Sequence, residues 1–483
     1  MNNNENLKLS IVENIKSELK NNPDFVVRKL NTQKPIFLAY LKSMTNDKLI
    51  SQAVVEPLLR TTNIFTLEVI KDEVLQVLDC EMIEGIQEAI DAILKNNMVV
   101  FFEDEEKFIK VDVELYVART PSEPPTSSVL RGPREGFTES IKINIQLIRR
   151  RLKTKDLVLK NMFVGKYSNT QVTLCFIKGV ASKKIVKKIE NQISKINIDG
   201  IVSSSYIESL IEEKPYSLFK QVGSTEKPDI ACAKLLEGRV AILIDNSPVV
   251  LTLPFVYTED IQDSNDYYGR FYYASYMRWM RILGLFMAVI VPGAYLAMRL
   301  YHYKIIPLEF LITISNSNQG LPFTPFVEML FILILFEILY EVSLRLPKFL
   351  GLATSIVGAL ILGDTGVKAG LISPPGVMII AMSIIAVYTI PDQGMQLSIL
   401  RFIFLLLGGT LGFLGMIAGL IYVCNYLNTL TSYSAPYLAP ISPYIASDQK
   451  DALFKQPLVN MKRRPKSFEN DNQVRMRNEE KSN

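Results

Sequence analysis

The 483-residue chain carries 53 Lys and Arg against 49 Asp and Glu, a net charge of +4, and has no basic stripe interleaved with aromatics, which sets aside nucleic-acid binding. Four scattered cysteines (Cys80, Cys175, Cys232, Cys424) suit a reducing compartment, and a single histidine, His302, excludes a histidine cluster for zinc or a His-dependent triad. Charge is partitioned along the chain: Ile282 to Leu427 holds 12 charged residues in 146 positions, against 90 in the other 337.

Residues 1–22 are polar, lack the apolar core of a secretory signal, and read as a flexible tail. A first small α/β domain spans 23–119. Pro35 to Leu41 predicts a strand, Asp47 to Leu59 and Thr66 to Leu78 predict helices, and Asn97 to Phe102 with Phe108 to Val117 predict a hairpin around EDEEK. The Pro/Ser-rich stretch 120–128 reads as a linker. A second small α/β domain spans 129–265, opening with a helix over Glu135 to Arg151 behind a Gly-Pro entrance. Strands follow at Met162 to Gly165 and Thr170 to Ile177, then helices at Ser182 to Ile196, Tyr206 to Glu213 and Pro228 to Leu236. Strands at Arg239 to Ile244 and Val249 to Leu253 close the domain. The aromatic and basic run 266–281 reads as an interfacial collar, with Tyr276 and Trp279 at headgroup level.

A crossing helix needs about 20 apolar residues. Ile282 to Leu300, Leu371 to Ile390 and Leu397 to Leu427 supply them, with Arg299 placed to snorkel, and Leu321 to Leu344 is apolar but carries Glu328, Glu337 and Glu341. The pieces Ile305 to Ser315 and Phe349 to Gly363 are shorter and read as half-helices. The pattern predicts an α/β amino-terminal region of two small domains followed by an α-helical polytopic membrane domain over 282–430, with about four spans. Residues 431–483 read as a carboxy-terminal tail, and the basic Met461 to Lys466 puts both ends on the cytoplasmic side.

Several ordered stretches carry a resemblance: SVLRGPREGFTESIKINIQLIRRRL from Ser128, DGIVSSSYIESLIEEKPYSLFKQVGSTEKPD from Asp199 and LLEGRVAILIDNSPVVLTLP from Leu235. DYYGRF follows at Asp266, LRLPKFLGLATSIVGALILGD at Leu344, ISPPGVMIIA at Ile372, APYLAPISP at Ala435 and DQKDALFKQP at Asp448. Together they resemble the A subunits of GerA-type spore germinant receptors, from about Asp24 to Pro465. The resemblance implies a non-enzymatic, multi-pass protein of the spore inner membrane, with no cofactor. It also implies a transporter-like, nutrient-binding B subunit and a lipoprotein C subunit as partners, and homo-oligomerisation into a nutrient-gated cation channel with its amino-terminal lobes in the spore core.

Glu337, Glu341 and Arg345 fall at i, i+4 and i+8, so they share a helix face. Two readings stand side by side: a carboxylate stripe at a cation pore, or an Arg345 to Glu341 pair plus an interhelical contact for Glu337. Glu328 lies off that stripe, near a pore mouth or paired with Arg401. Leu352 to Asp364, with Leu362 and Asp364, reads either as a gate or as a packed helix. Gly408, Gly412, Gly415 and Gly419 lie on one face of a straight last span, for packing within the subunit or between subunits. Arg131, Arg134 and Glu135 read as structural, tying the linker to the second domain or to a neighbour, or as an anion site at a helix entrance. Arg149, Arg150 and Arg151 read as a solvated helix end. No internal repeat of the kind a secondary transporter needs is visible, and no convergent acid, base or nucleophile set suggests an enzyme.

Overall fold

A computed structural model describes residues 10–61, 66–77, 79–113, 131–345, 358 and 360–476. The linker over 120–128 and most of the gate candidate Leu352 to Asp364 lie outside the described residues.

The first domain runs α1 (Ile11–Glu18), β1 (Phe25–Leu30), β2 (Ile36–Leu41), α2 (47–60), α3 (67–74), β3 (Cys80–Glu84), α4 (Ile86–Leu94), β4 (Asn97–Phe101) and β5 (Lys107–Asp112). Its sheet is antiparallel in every pair, in the order β1-β2-β4-β5-β3. All six residues of β2 are buried, because both faces of the sheet are covered. Phe37, Ala39 and Leu41 meet α1 and α4, while Leu38 and Tyr40 meet α2 and α3. A continuous apolar run in sequence is therefore a central strand here.

The second domain runs α5 (Ile141–Arg151), β6 (Leu157–Val164), β7 (Thr170–Ile177), α6 (Lys183–Ser194), α7 (Ser204–Ile211), β8 (Gly223–Thr225), α8 (Pro228–Leu236), β9 (Val240–Ile244) and β10 (Val250–Leu253). Its sheet order, β6-β7-β9-β10-β8, is that of the first domain shifted along the chain, and the helices interleave in the same sequence. The two domains thus repeat one topology. What they share is the burial pattern, with α6 and α7 on one face and α5 and α8 on the other, rather than residue identity. The helix expected from Glu135 starts only at Ile141, since residues 131–140 form no regular element and are instead tied to the domain, Phe137 N donating to Glu226 O at 2.7 Å.

Two short helices, α9 (Thr258–Ile261) and α10 (Ser264–Tyr268), lead into α11 (Phe271–Leu300), which passes from the collar into the bundle as one 30-residue helix. Beyond it come α12 (Leu308–Ser317), α13 (Pro325–Arg345), α14 (Pro374–Val387) and a last helical stretch, Gly394–Thr429. Among the described residues, two helical stretches, Phe271–Leu300 and Pro391–Thr429, are long and apolar enough to cross a membrane.

The last stretch corrects the expectation of a single straight span. Gly412 has φ 62° and ψ −148°, which no helix accommodates, and the chain reverses there. A Cβ on Gly419 would lie 2.6 Å from Leu407, although a straight helix would separate the two by about 18 Å. Two antiparallel arms result, α15 (394–411) and α16 (413–429), each about 26 Å long, close to the hydrocarbon thickness of a bilayer. The residues flanking both outer ends meet at Tyr257, just after the second domain's sheet: its hydroxyl donates to Gln393 at 3.3 Å, and its amide donates to Tyr437 O at 2.8 Å.

Residues 431–476 are not a free tail. They form a strap, opening with the hairpin β11 (Thr431–Ser432) and β12 (Ala435–Pro436), that packs on the second domain and on α11. Tyr433 is 1 % exposed within the core of the second domain. Ser432 Oγ accepts from Phe255 N at 3.0 Å and donates to Gln221 O at 2.7 Å.

Candidate functional site

Two charged clusters join the layers of the molecule, one at the collar and one inside the bundle. At the collar, α10 presents Asp266 to the first turns of α11. Its carboxylate accepts from Arg278 Nε at 3.2 Å and from both terminal nitrogens of Arg281 at 2.8 and 3.0 Å. Arg278 is fully buried; it also donates to Asp451 O at 2.8 Å, to Ala452 O at 2.7 Å and to Asp451 Oδ1 at 2.9 Å. One guanidinium thus ties the domain, the helix leaving it and the strap, using the planar fork that Arg alone supplies. Lys455 of the strap donates to Asp266 O, and burial pulls its ammonium below the usual lysine range. The aromatic collar itself stays open, with Tyr272 71 % and Tyr276 60 % exposed.

Inside the bundle, Glu328 on α13 is fully buried. Its Oε2 lies 2.9 Å from Arg299 Nη1 on α11, and its Oε1 accepts from Ser373 N at 2.8 Å and from the Ser373 hydroxyl, which also caps α14. Glu328 therefore pairs with Arg299 and not with Arg401. Arg299, for its part, does not snorkel but turns to the helix contact, its side chain 9% exposed. Arg401 on α15 pairs instead with Glu337 and reaches Ser383 and Ser398 at 3.2 Å. Lower on α13, Glu341 pairs with Arg345 at 2.6 Å, both more than half exposed. Asp364 pairs with Lys368 at 2.7 Å, also exposed, and the Leu362 side chain lies outside the described residues. The carboxylates of α13 are thus divided: two are neutralised by arginines of other helices, and the third sits on an open face.

The glycines do not form one face. A Cβ on Gly408 would lie 2.3 Å from Gly293 O of α11, while Gly412 makes the reversal. Gly415 and Gly419 pack against Leu411 and Leu407 of the facing arm. Arg131 and Arg134 are exposed, and Glu135 makes the tie by pairing with Arg151 at 2.7 Å and Arg150 at 3.5 Å. Gly132 lies against Tyr268, where a Cβ would come within 2.6 Å of the ring. Arg149 is 3 % exposed and pairs with Asp24 of the first domain at 2.6 Å, so the basic helix end is a junction between domains rather than a solvated terminus. Sequence reasoning did not find the partners of Arg278 or Arg149, because the contacts span 173 and 125 residues.

Residues 13–467 match the family model described as Bacillus/Clostridium GerA spore germination protein. The chain is 34% identical over 478 residues to spore germination protein KA of Bacillus subtilis (strain 168), covering 96% of this chain and 88% of that relative. It is 35% identical over 440 residues to the uncharacterized membrane protein YfkQ of the same organism, covering 90% and 86% respectively. Among solved structures, the crystal structure of the N-terminal domain of the A subunit of the Bacillus megaterium spore germinant receptor GerK3 matches 50% of this chain and 92% of that one. The identity is 26% and the TM-score 0.40. With the family model spanning nearly its whole length, the chain belongs to the GerA family of spore germination proteins.

Proposed function

We propose that the chain is the A subunit of a nutrient germinant receptor in the spore inner membrane. In this reading it acts beside a transporter-like B subunit and a lipoprotein C subunit, and copies of it assemble into a nutrient-gated cation channel. The observation that carries the membrane placement is the inside-out polarity of the bundle. Ile338, Ile385, Leu414 and Ile417 are 55%, 66%, 79% and 55% exposed, while Glu328 and Arg401 are buried against partners and the Arg299 side chain is only 9% exposed. Water penalises that distribution and lipid rewards it. YfkQ, a relative named a membrane protein, supports the same placement.

The channel reading draws on Glu341, the α13 carboxylate on an open face, which a ring of copies would turn toward a shared path. Its test is cation flux from liposomes holding the purified chain with its partner subunits. Glu341→Gln should change the flux while the amount of folded protein stays constant; no nutrient-dependent flux in the wild type would leave a signalling scaffold. A transporter would instead show stoichiometric solute uptake by the isolated chain.

A further inference from the structure

The loop from α7 to β8 leaves the second domain at the end of the helical bundle. Gln221 closes it, its side chain accepting from Lys214 N at 3.0 Å and donating to Lys214 O at 2.8 Å, so the residues between them project as one turn. Both flanks of the turn are fixed to α16. Lys214 Nζ donates to Thr429 O, in the last turn of the helix, at 2.9 Å, and the buried Phe219 ring lies 6.2 Å from that of Tyr426. Between these anchors Lys214, Pro215 and Tyr216 are exposed, and the Tyr216 side chain is fully so. An aromatic ring held out from a pinned turn contributes nothing to the fold.

The level of the turn is set by α16. Along that helix Leu414, Ile417 and Ile421 are exposed and apolar, whereas Asn425, Asn428 and Thr429 near its end are exposed and polar. Tyr422 and Tyr426, stacked at 6.5 Å, stand at the change from one to the other. Residues 422–429 rise about 10 Å, enough to cross the headgroup region, which adds about 5–8 Å to each side of the hydrocarbon core. Tyrosines at that depth form the belt expected where a helix leaves lipid. The same chemistry marks α11 at this end of the bundle, where the exposed Trp279 ring lies 5.5 Å from Phe454 of the strap.

The tip of the turn fits the same layer. The Lys214 ammonium directs two of its three N–H groups to Thr429, at 2.9 and 3.4 Å, and keeps the third for an outside acceptor such as a phosphate. Pro215 has no N–H to satisfy, and a tyrosine ring carries an apolar body with a polar tip.

We propose that Lys214, Pro215 and Tyr216 lie in the lipid headgroup layer, with the Lys214 ammonium on a lipid phosphate and the Tyr216 ring at the level of Tyr422 and Tyr426. The second domain is then itself seated on the bilayer, pinned to α16 on one side of the turn and to lipid on the other. The contact rests on the membrane placement of the bundle.

The test reads depth by tryptophan fluorescence of the full chain in vesicles of mixed phosphatidylcholine and phosphatidylglycerol, with a nitroxide carried either on the headgroup or near the end of the acyl chain. Trp279 is the single tryptophan, so Trp279→Phe supplies the background. On it, Tyr216→Trp should lose most of its fluorescence to the headgroup nitroxide and less to the chain-end one, and Pro215→Trp repeats the measurement if Tyr216→Trp fails to fold. Ile421→Trp, at the exposed middle of α16, tests the membrane placement alone and should be quenched most by the chain-end nitroxide. Tyr167→Trp is the reference for a ring away from lipid. It stands in the β6–β7 turn, at the end of the sheet where Val172 pairs with Ile244, opposite the end where Val240 pairs with Leu253 and the chain runs on to Phe255. Quenching at position 421 with position 216 as bright as position 167 overturns the lipid contact and leaves the bundle in the membrane, the result expected if a second copy or another protein covers the turn. No quenching at position 421 overturns both.

Discussion

Arg299 and Glu328 meet at 2.9 Å across the contact of α11 and α13, with the Glu328 side chain fully buried and that of Arg299 9 % exposed. The same carboxylate holds the entrance of α14 through Ser373, so three helices share one negative charge. Removing one partner strands the other charge, which typically costs about 3–5 kcal/mol. Glu328→Ala should therefore lower the thermal midpoint of the chain in detergent markedly, whereas the double substitution Glu328→Leu with Arg299→Met should recover much of the loss. A double variant as unstable as the single one would mean that hydrogen bonding to Ser373, not charge balance, holds the contact.

Glycines that look equivalent in sequence should respond differently. Gly408→Ala forces a methyl group to within 2.3 Å of the Gly293 carbonyl, a backbone atom that cannot move alone, so α11 and α15 must separate. Gly412→Ala places a side chain at φ 62° and ψ −148°, a region essentially reserved for glycine that costs an L-residue on the order of 1–3 kcal/mol. Gly419→Ala meets only the end of the flexible Leu407 side chain. The expected order of damage, read as the fraction of monodisperse protein surviving a heat step, is Gly408 above Gly412 above Gly419. Equal sensitivity at Gly408 and Gly419 would restore the picture of a single packing face.

The elements that were legible in sequence are those whose signal is local. Ile36–Leu41 is an apolar run buried on both faces, and Pro228–Leu236 begins with a helix-favouring proline; both could be read directly. The strands Phe25–Leu30, Cys80–Glu84 and Gly223–Thr225 were missed because they are edge strands, short or mixed in polarity, and gain their definition from a neighbour. The reversal at Gly412 was hidden because the glycine sits among apolar residues with no polar turn signal. The buried arginine sites are tertiary facts: nothing local to Arg278 indicates that Asp451 will lie 2.9 Å away.

Acidity should act on the second domain through Glu208. Burial raises its carboxyl above the ordinary value of 4.5, the nearby Glu212 adds to the rise, and Lys220 opposes it. A raised carboxyl in the folded state contributes stability that is complete below the ordinary value and lost as pH climbs through the folded one. Between those two values the wild type should gain thermal stability as the pH falls, by more than the variant Glu208→Gln, which has no proton to bind there. Identical slopes of melting temperature against pH for the two proteins would exclude the effect.

The strap offers the most direct test of how the carboxy-terminal segment contributes to the soluble region. Tyr433 and Ser434 have φ of 49° and 76°, a two-residue left-handed turn made without glycine, and that turn drives the Tyr433 ring into the core beside α6 and α7. Its hydroxyl donates to Ile211 O at 2.9 Å, and Lys188 Nζ lies 5.3 Å from the ring centroid. Truncating a buried aromatic to Ala costs about 3–5 kcal/mol, whereas losing the hydroxyl alone costs roughly 1 kcal/mol. Tyr433→Ala should therefore raise amide exchange across Val240–Ile244 and Val250–Leu253, far from the substitution in sequence, with Tyr433→Phe close to the wild type. If exchange rises only within residues 431–476, the strap lies on the domain without completing its core.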